Sequence, residues 1–265
     1  MSKYPMKAAE GEKSEGHTEK MRKAEVEAVK PWFSPGARVL ELGGGSGYQA
    51  GIIASWGCDI ASIDIPDRPD PVQTLYYPVQ NYDGVNIPYA DESFDVVFSD
   101  AVLPCVKALP LVLAETRRVL KPEGLAIHVV PSRTWRLWTT LSHPIWLFKL
   151  LLWRPRRSVS SAAKAPSATG GSSDEPSLFF RVKQVLFPGP PTEHANTLSE
   201  FYYWNKARWL ALFEKNGFEV KQISNNGLFY TGKALMPGLP LRARRVLARF
   251  LGAAQHIFIM RKSEA

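Results

Sequence analysis

The sequence predicts an α/β fold in which a mostly parallel sheet of seven strands carries helices on both faces. Short apolar runs alternate with helical patterns through the first half of the chain, at the spacing of strand–helix–strand units. A run of glycines directly follows the first apolar run, as in sheets whose strands end at a ligand. With 265 residues, 45% of them hydrophobic, the chain can bury the core of such a sheet.

The first half of the chain contains the five strands of the parallel part. They are predicted at residues 37–42, 59–64, 75–82, 94–99 and 125–130. The third strand is the weakest, because Pro78 cannot donate a hydrogen bond to a neighbouring strand. Helices are predicted over residues 17–32, 48–56 and 109–120, and the turn formed by residues 121–124 ends the last of them.

After Pro131 the pattern changes. Residues 135–153 are aromatic and apolar, but charged residues and Pro144 interrupt them, so they fall short of the roughly 20 apolar residues that a membrane-spanning helix requires. A stretch rich in Ser, Ala, Gly and Pro, residues 155–177, predicts a mobile loop. The remaining elements are predicted as a helix over residues 198–216, a basic helix over 241–251, and strands over 218–223 and 256–261.

Charge is distributed unevenly along the chain. Residues 1–130 hold 13 Lys and Arg against 18 Asp and Glu, whereas residues 131–265 hold 20 against 7. A basic half that is rich in Trp and Phe favours an anionic partner such as a phosphate group or a membrane surface, and a basic surface facing water fits equally well. Two cysteines without zinc-type spacing, and an N-terminus without an apolar run, predict a cytoplasmic protein with no metal site.

The glycine run occupies residues 41–47 (ELGGGSG), between the first strand and the second helix. Glycines at such a turn let a ligand approach the backbone where a side chain would clash. Nicotinamide dinucleotide sites favour G-x-G-x-x-G, but counting from Gly43 and Gly45 puts Tyr48 at the third glycine position. A carboxylate precedes the glycines and Asp64 ends the next strand, which favours a ligand carrying positive charge.

Four further motifs follow in the order DGVNIPY (83–89), FDVV (94–97), VL (102–103) and RVLKPEG (118–124). Together with the glycine run they cover about residues 36–131, and this stretch resembles the class I S-adenosylmethionine (SAM)-dependent methyltransferases with a type 11-like domain. The resemblance implies a Rossmann-like fold, SAM as cofactor and methyl transfer to an acceptor. Pro104 and Cys105 stand where many relatives have Glu-His, and Glu123 replaces a usual glycine, departures that leave the assignment in place.

The resemblance also implies which residues hold SAM. The glycine turn and Glu41 would face its amino acid portion, and Asp64 would hold its ribose. The loop around Asp83 would approach the adenine amino group, with Ser99 beside the methionine portion. Such residues at strand ends also act as structural caps. The full set is Glu41, Gly43, Gly45, Gly47, Asp64, Ile65, Tyr82, Asp83, Gly84 and Ser99.

The resemblance divides the chain into four segments. They are an N-terminal helical segment (1–35), the SAM-binding core (36–131), an insertion on the substrate side (132–197) and a C-terminal completion of the sheet with a basic helix (198–265). The insertion combines tryptophans with arginines, which suits an acyl chain and anionic headgroups, or else a cap packed on the core. This layout is similar to methyltransferases that modify lipopolysaccharide, glycans or prenyl lipids.

The expected reaction is O-methylation of a saccharide or lipid-linked acceptor, with a quinone or phospholipid acceptor as the alternative. A hydroxyl acceptor benefits from a general base, for which His194 and His143 are the first candidates, followed by His128 and Glu193. Peripheral contact with an anionic membrane is expected, whereas no nucleic-acid recognition motif is visible. A nicotinamide-dependent oxidoreductase and a non-catalytic SAM-fold binding protein stay open, and the oligomeric state is not predicted.

Overall fold

The computed structural model describes residues 16–66, 74–152, 197–232 and 236–264. Its centre is a sheet of seven strands in the order β3-β2-β1-β4-β5-β7-β6, in which β1 to β5 are parallel and β7 runs antiparallel to both β5 and β6. The expected mostly parallel, seven-stranded sheet is therefore confirmed. The strands are β1 (Arg38–Leu42), β2 (Asp59–Asp64), β3 (Gln80–Asn81), β4 (Phe94–Asp100), β5 (Leu120–Pro131), β6 (Phe218–Asn225) and β7 (Gln255–Lys262).

Seven α-helices are described around this sheet. They are α1 (His17–Val29), α2 (Tyr48–Ser55), α3 (Leu109–Val119), α4 (Arg133–Leu152), α5 (Thr197–Tyr203), α6 (Lys206–Lys215) and α7 (Leu241–Leu251). Short 3-10 helices follow α1 at Lys30–Trp32 and β4 at Leu103–Cys105. No helix in the described parts of the chain is long and apolar enough to cross a membrane.

Three elements differ from their predicted extents. β3 is only two residues long, so most of the predicted run over 75–82 is not strand. β5 begins at Leu120, which pairs with Phe94, so the predicted 121–124 turn lies within the strand. The helix predicted over 198–216 is two helices, because Asn205 caps a new one: its side chain accepts a hydrogen bond from the Ala207 amide at 3.2 Å.

The core has two layers, one on each face of the sheet. Leu40 and Leu42 of β1 pack with residues of α3 and α6, including Phe213, on one face. Val39 points to the other face, where it packs with residues of α1 and α2 such as Ile53. The alternation of side chains along one strand therefore anchors helices on both sides.

The start of the substrate-side insertion is packed against the C-terminal part of the chain. Arg136 of α4 and Glu200 of α5 form a buried ion pair with 2.8 Å between Nε and Oε2. Trp138 donates from its indole N–H to the Leu251 carbonyl oxygen at 3.0 Å, which ties α4 to the end of α7. The first half of α4 is thus packed against α5 and α7, whereas the loop predicted at 155–177 lies outside the described residues.

Candidate active site

The glycine turn joins the end of β1 to the start of α2. Left-handed backbone occurs at Gly43, Gly45 and Gly47, with φ of 73°, 55° and 71°. A Cβ on Gly44 would lie 1.9 Å from Ser62 Oγ, and one on Gly43 would lie 2.2 Å from Val102 Cγ2. A Cβ on Gly45 would meet nothing within 4 Å. The turn is therefore packed against β2 and the segment after β4, and it is open at Gly45.

Glu41 lies beneath this turn. Glu41 is only 2% exposed, and its Oε2 accepts a hydrogen bond from the Ser62 hydroxyl at 2.5 Å. Burial raises the pKa of Glu41 to about 8. A nearby positive charge favours the ionised form of a carboxyl group, so a cation bound at the turn would lower the pKa of Glu41 again.

The carboxylate of Asp64 connects the end of β2 to the glycine turn. One oxygen accepts the Gly45 amide at 2.8 Å, and the other accepts the Ile65 amide at 2.7 Å. The Tyr82 amide donates to the Asp64 carbonyl oxygen at 3.0 Å, and a Cβ on Gly84 would lie 3.1 Å from Ile65 Cγ2. The structure therefore brings four of the sequence-predicted residues together beside Gly45.

Asp83 organises the turn that follows Tyr82. Its carboxylate accepts the amides of Val85 and Asn86 at 2.8 and 2.7 Å and the Asn86 side-chain amide at 2.6 Å. The Asn86 side chain, with these two backbone amides, lowers the pKa of Asp83. Burial and the charges of Asp64 and Asp83 raise the pKa of Tyr82 to about 12. Asp83 thus shapes the loop, and contact with adenine stays a prediction.

Ser99, which the resemblance places beside the methionine portion of SAM, is fully buried, and its contact with the cofactor stays a prediction. Its hydroxyl lies 2.8 Å from His128 Nδ1 of the neighbouring strand. Burial lowers the pKa of His128 to about 3, and the ring stacks on Phe213 within the core. His128 is therefore a core histidine, and Asp100, which follows Ser99, ends β4 with hydrogen-bond partners of its own.

A cavity of about 350 Å³ opens at the carboxyl ends of β4 and β5, next to the glycine turn. Ala101 lies in its wall with a left-handed backbone (φ 58°), and Val102 follows it against Gly43. Most of the wall is apolar, and one side is polar. The apolar residues include Met21, Pro104, Pro131, Trp135 and Trp204, and the polar ones Arg22, Glu25, Tyr230 and Gln255.

Beneath the polar side, the Asp100 carboxylate is held by three side-chain donors. Arg22 Nη1 and Gln49 Nε2 both lie 2.8 Å from Oδ2, and Gln255 Nε2 donates to Oδ1 at 2.9 Å. The Asp100 charge raises the pKa of Arg22 above its usual range. Since each of these bonds involves an ionised group, they hold Asp100 and Arg22 as a fixed ion pair.

Glu25 of α1 completes the polar side. It is 2% exposed, its Oε2 lies 3.5 Å from Arg22 Nη1, and its Oε1 accepts the hydroxyl of Tyr230. Burial, followed by the negative charge of Asp100, raises the pKa of Glu25 well above its usual range. Burial and the neighbouring carboxyl groups likewise raise the pKa of Tyr230. The cavity thus carries two buried acids that hold their protons.

Comparison with known proteins identifies the family. Residues 40–128 match the model of a methyltransferase domain. A demethylmenaquinone methyltransferase of Renibacterium salmoninarum is 33% identical over 231 residues, covering 85% of this chain and 84% of that one. The chain belongs to the SAM-dependent methyltransferases. This membership removes the nicotinamide-dependent oxidoreductase that the sequence left open.

Two further comparisons are more limited. An uncharacterized protein of Haemophilus influenzae is 32% identical over 108 residues. The match covers 36% of the present chain and 43% of that relative, which is less than half of its length. A solved chain in the complex between the Haloferax volcanii Trm112 methyltransferase activator and a methyltransferase superposes with a TM-score of 0.54 at 13% identity, covering 94% of this chain and 92% of that one. That likeness shows the fold.

The residues at the glycine turn fit SAM, the cofactor of this family. Gly45 leaves a space that a single Cβ would begin to fill, and carboxylates of Glu41 and Asp64 lie on either side of the turn. A sulfonium and an ammonium group carry positive charge, which the ionised form of a carboxyl group attracts. The carboxyl groups at the turn therefore suit the charge of the cofactor, and the open space at Gly45 leaves room for it.

Of the predicted general bases that the structure describes, none lies in the cavity wall. His143 of α4 is 5% exposed and, like the core residue His128, is absent from the described part of that wall. His194 and Glu193 lie outside the described residues. His17 lines the cavity instead, and burial, with Arg244 and Lys20 nearby, lowers its pKa. The described residues contain no cluster of three or more His, Cys, Asp or Glu that could hold a metal ion.

The sequence analysis missed the polar side of the cavity. Its members come from α1, from the end of β4, from the segment after β6 and from β7, so Tyr230 contacts a residue 205 positions away. One weak signal was available: the apolar run of β4 ends on a carboxylate, Asp100, one residue beyond its predicted end.

Proposed function

We propose that this methyltransferase transfers the methyl group of SAM to a ring carbon of a hydroxylated aromatic acceptor of the quinol type. The observation that carries the proposal is the cavity beside the glycine turn, whose aromatic wall faces one polar side. Its volume of about 350 Å³ lies at the lower end of ligand pockets, which hold about 300–1,000 Å³. That volume suits a fused ring pair, and a long prenyl tail would extend beyond it.

The cofactor side is formed by the glycine turn and its carboxylates. Asp64, whose two carboxylate oxygens accept the Gly45 and Ile65 amides at the end of β2, would hold the ribose hydroxyls of SAM. The buried Glu41 carboxyl lies below the turn, and burial raises its pKa to about 8. When bound, SAM supplies a methyl group that its sulfonium has already activated, so alignment of the acceptor carries much of the remaining acceleration.

The acceptor side is formed by aromatic and polar side chains. Trp135 and Trp204, whose ring centroids lie 5.4 Å apart with their planes tilted by 45°, form an apolar wall against which a planar ring can pack. Tyr230 and Glu25 offer hydrogen bonds to a ring hydroxyl. The relative that acts in menaquinone synthesis, by its name, supports the same acceptor class.

A saccharide hydroxyl, the acceptor that the sequence favoured, gains no such support. A sugar has hydroxyls around its whole rim and would leave several of them without partners against an apolar wall. Neither the Renibacterium nor the Haemophilus relative carries a name that refers to a saccharide. The quinol acceptor is therefore the better fit to the cavity.

The test is methyl transfer from labelled SAM to a naphthoquinol that lacks its ring methyl group, beside a panel of cell-envelope glycolipids. The proposal expects label on the ring carbon and none on sugar hydroxyls. Asp64→Ala should weaken SAM binding in calorimetry and abolish transfer, whereas Asp59→Ala, at the exposed start of the same strand, should change neither. Label on glycolipid and none on the quinol would overturn the proposal.

We also propose that α7 rests on an anionic bilayer, from which a lipophilic acceptor enters. Phe250 is 82% exposed and Val246 51% exposed, one helical turn apart. Three exposed arginines lie on the adjoining part of the same face, namely Arg242, Arg245 and Arg249. The fourth arginine of the helix, Arg244, is instead buried and donates to the carbonyl oxygens of Leu239 and Phe229.

Vesicle sedimentation tests this contact. Each arginine near an anionic surface contributes about 1 kcal/mol, so replacing the three exposed ones by Gln should reduce binding to phosphatidylserine vesicles about 100-fold. High salt should weaken the wild-type contact, and Lys221→Gln on β6 serves as the matched control. Equal binding to neutral and anionic vesicles would contradict the proposal.

A further inference from the structure

A second cavity lies beside the 3-10 helix Leu103–Cys105, separate from the one next to the glycine turn. Its volume is about 360 Å³. Among the described residues the two walls share only Pro104, so this cavity is distinct from the proposed acceptor site. We propose that the second cavity binds an anionic amphiphile, a single alkyl chain that ends in a carboxylate or a phosphate group. The inference does not depend on the proposed function.

Apolar side chains form most of the described wall of the second cavity. Trp209 of α6, which is 5% exposed, stacks on Phe213 of the core with 5.7 Å between the ring centroids. The apolar members of this wall are Leu103, Pro104, Val106, Leu109, Trp209 and Leu212. An alkyl chain gains free energy when such a wall removes it from water. The wall therefore suits a ligand with a flexible apolar body.

Arg208 of α6 lies in the same wall and has unused hydrogen-bond donors. Its guanidinium carbon lies 3.8 Å from the ring centroid of Tyr202 and 4.8 Å from that of Tyr203. Within the described parts of the chain, no hydrogen bond or ion pair engages its side chain. The two rings therefore hold the guanidinium by cation–π contacts and leave its N–H groups unused. Such a planar fork of donors binds a carboxylate or a phosphate group through paired hydrogen bonds.

The surroundings of Arg208 are positively charged. Lys107 is an exposed residue of the same wall, and the described part of that wall contains no Asp or Glu. Arg208 also shares the first turn of α6 with Lys206, and that turn has no acidic residue. Because the N-terminal end of a helix carries partial positive charge, a cation there is unfavourable and an anion is favourable. An anion bound at Arg208 would balance this charge.

An amphiphile satisfies both parts of the cavity, whereas simpler ligands satisfy only one. An inorganic anion would pair with Arg208 and leave the apolar wall facing water. A neutral alkyl chain would cover that wall and leave Arg208 without an anion. The volume lies at the lower end of ligand pockets, which hold about 300–1,000 Å³, so one chain suits it better than the two chains of a phospholipid.

The experiment compares sodium decanoate and decyl phosphate, below their micelle concentrations, with three probes in calorimetry. Inorganic phosphate lacks the chain, decanol lacks the charge, and decyltrimethylammonium carries the opposite charge. The variants are Arg208→Gln and Arg208→Lys, and the matched control is Lys215→Gln, an exposed residue at the other end of α6. Urea unfolding without ligand measures the stability of each protein, and each titration is repeated with a naphthoquinol present.

We expect the wild type and the Lys215→Gln protein to bind both decyl anions alike, and to bind the three probes at least about tenfold more weakly. Arg208→Gln should weaken binding of the decyl anions about 10- to 100-fold, because it removes hydrogen bonds to a charged group. Arg208→Lys should recover part of this affinity, since it keeps the charge without the planar fork. The urea midpoint of Arg208→Gln should stay close to that of wild type, because removing a cation from a helix N-terminus offsets the loss of its ring contacts.

Three results would overturn the proposal. The first is equal affinity of the Arg208→Gln and wild-type proteins for decanoate, which would leave Arg208 with a structural role alone. The second is equal affinity of the wild type for decanol and decanoate. The third is displacement of decanoate by the naphthoquinol, which would place the amphiphile in the cavity next to the glycine turn.

Discussion

Alanine at two adjacent glycines should separate folding stability from cofactor binding. Gly44→Ala places a Cβ 1.9 Å from Ser62 Oγ and 2.9 Å from Glu41 Oε2, so Ser62 must turn away and give up its hydrogen bond to Glu41. Overpacking costs about 1–3 kcal/mol and an unpartnered buried carboxyl about 1–3 kcal/mol, which together predict a loss of roughly 2–6 kcal/mol in the free energy of unfolding. Gly44 has no positive φ, so the penalty is steric.

Gly45→Ala acts differently. Its Cβ meets nothing within 4 Å, and the left-handed backbone (φ 55°) costs roughly 1–2 kcal/mol. The added methyl group occupies the space assigned to SAM, so the dissociation constant should rise at least about tenfold, equivalent to about 1.4 kcal/mol.

Urea unfolding and calorimetry with SAM measure the two effects on the same proteins. Ser62→Ala in the Gly44→Ala background removes the hydroxyl that the new Cβ would meet. The double variant should therefore lose much less free energy of unfolding than the two single variants do in sum. Additive losses in this double-mutant cycle would refute the steric explanation. A Gly45→Ala protein that binds SAM as wild type does would show that the cofactor lies elsewhere.

Three further perturbations test other parts of the structure. Glu200→Ala should lower the free energy of unfolding by about 3–5 kcal/mol in urea, because it leaves Arg136 charged and buried, and a small loss would refute this. Asp64→Asn should keep the fold but raise the SAM dissociation constant at least about tenfold in calorimetry, since an amide attracts cationic groups less. The folded-state pKa of Glu41 is raised from its usual 4.5 to about 8, so between these pH values Glu41 is ionised in the unfolded chain and protonated in the folded protein. Wild type should therefore lose about 1.4 kcal/mol per pH unit relative to Glu41→Gln between these values, and parallel stability profiles would contradict the assignment.

Local patterns predicted the strands and the glycine turn because the information lies within a few residues. β2 has its predicted bounds, and the glycines predicted to form a turn after β1 do so, with left-handed backbone at Gly43, Gly45 and Gly47. The break between α5 and α6 was missed because apolar periodicity continues across Asn205, whose capping role depends on how both helices pack. Ser99 is buried against His128 of the neighbouring strand, a contact between strands that its position in the sequence does not reveal.

The polar side of the cavity could not be predicted in the same way. Asp100 is bound by Gln49 and Gln255, which lie 51 and 155 positions away along the chain. Such contacts are set by the order of strands in the sheet, and no local period records them. The four motifs between residues 83 and 124 gave the family, whereas the contact between Tyr230 and Glu25 required the assembled fold.

The cavity is assembled largely from parts of the chain outside the shared methyltransferase domain of residues 40–128. Its wall takes Arg22 and Glu25 from the preceding helix and Trp135, Trp204 and Tyr230 from segments that follow. Under the proposed function, cofactor binding and acceptor choice are therefore encoded in separable stretches of sequence. Relatives can diversify in what they methylate by exchanging the flanking segments while the donor machinery stays intact, and chimaeras joined near residues 40 and 128 offer a direct route to new acceptor specificity.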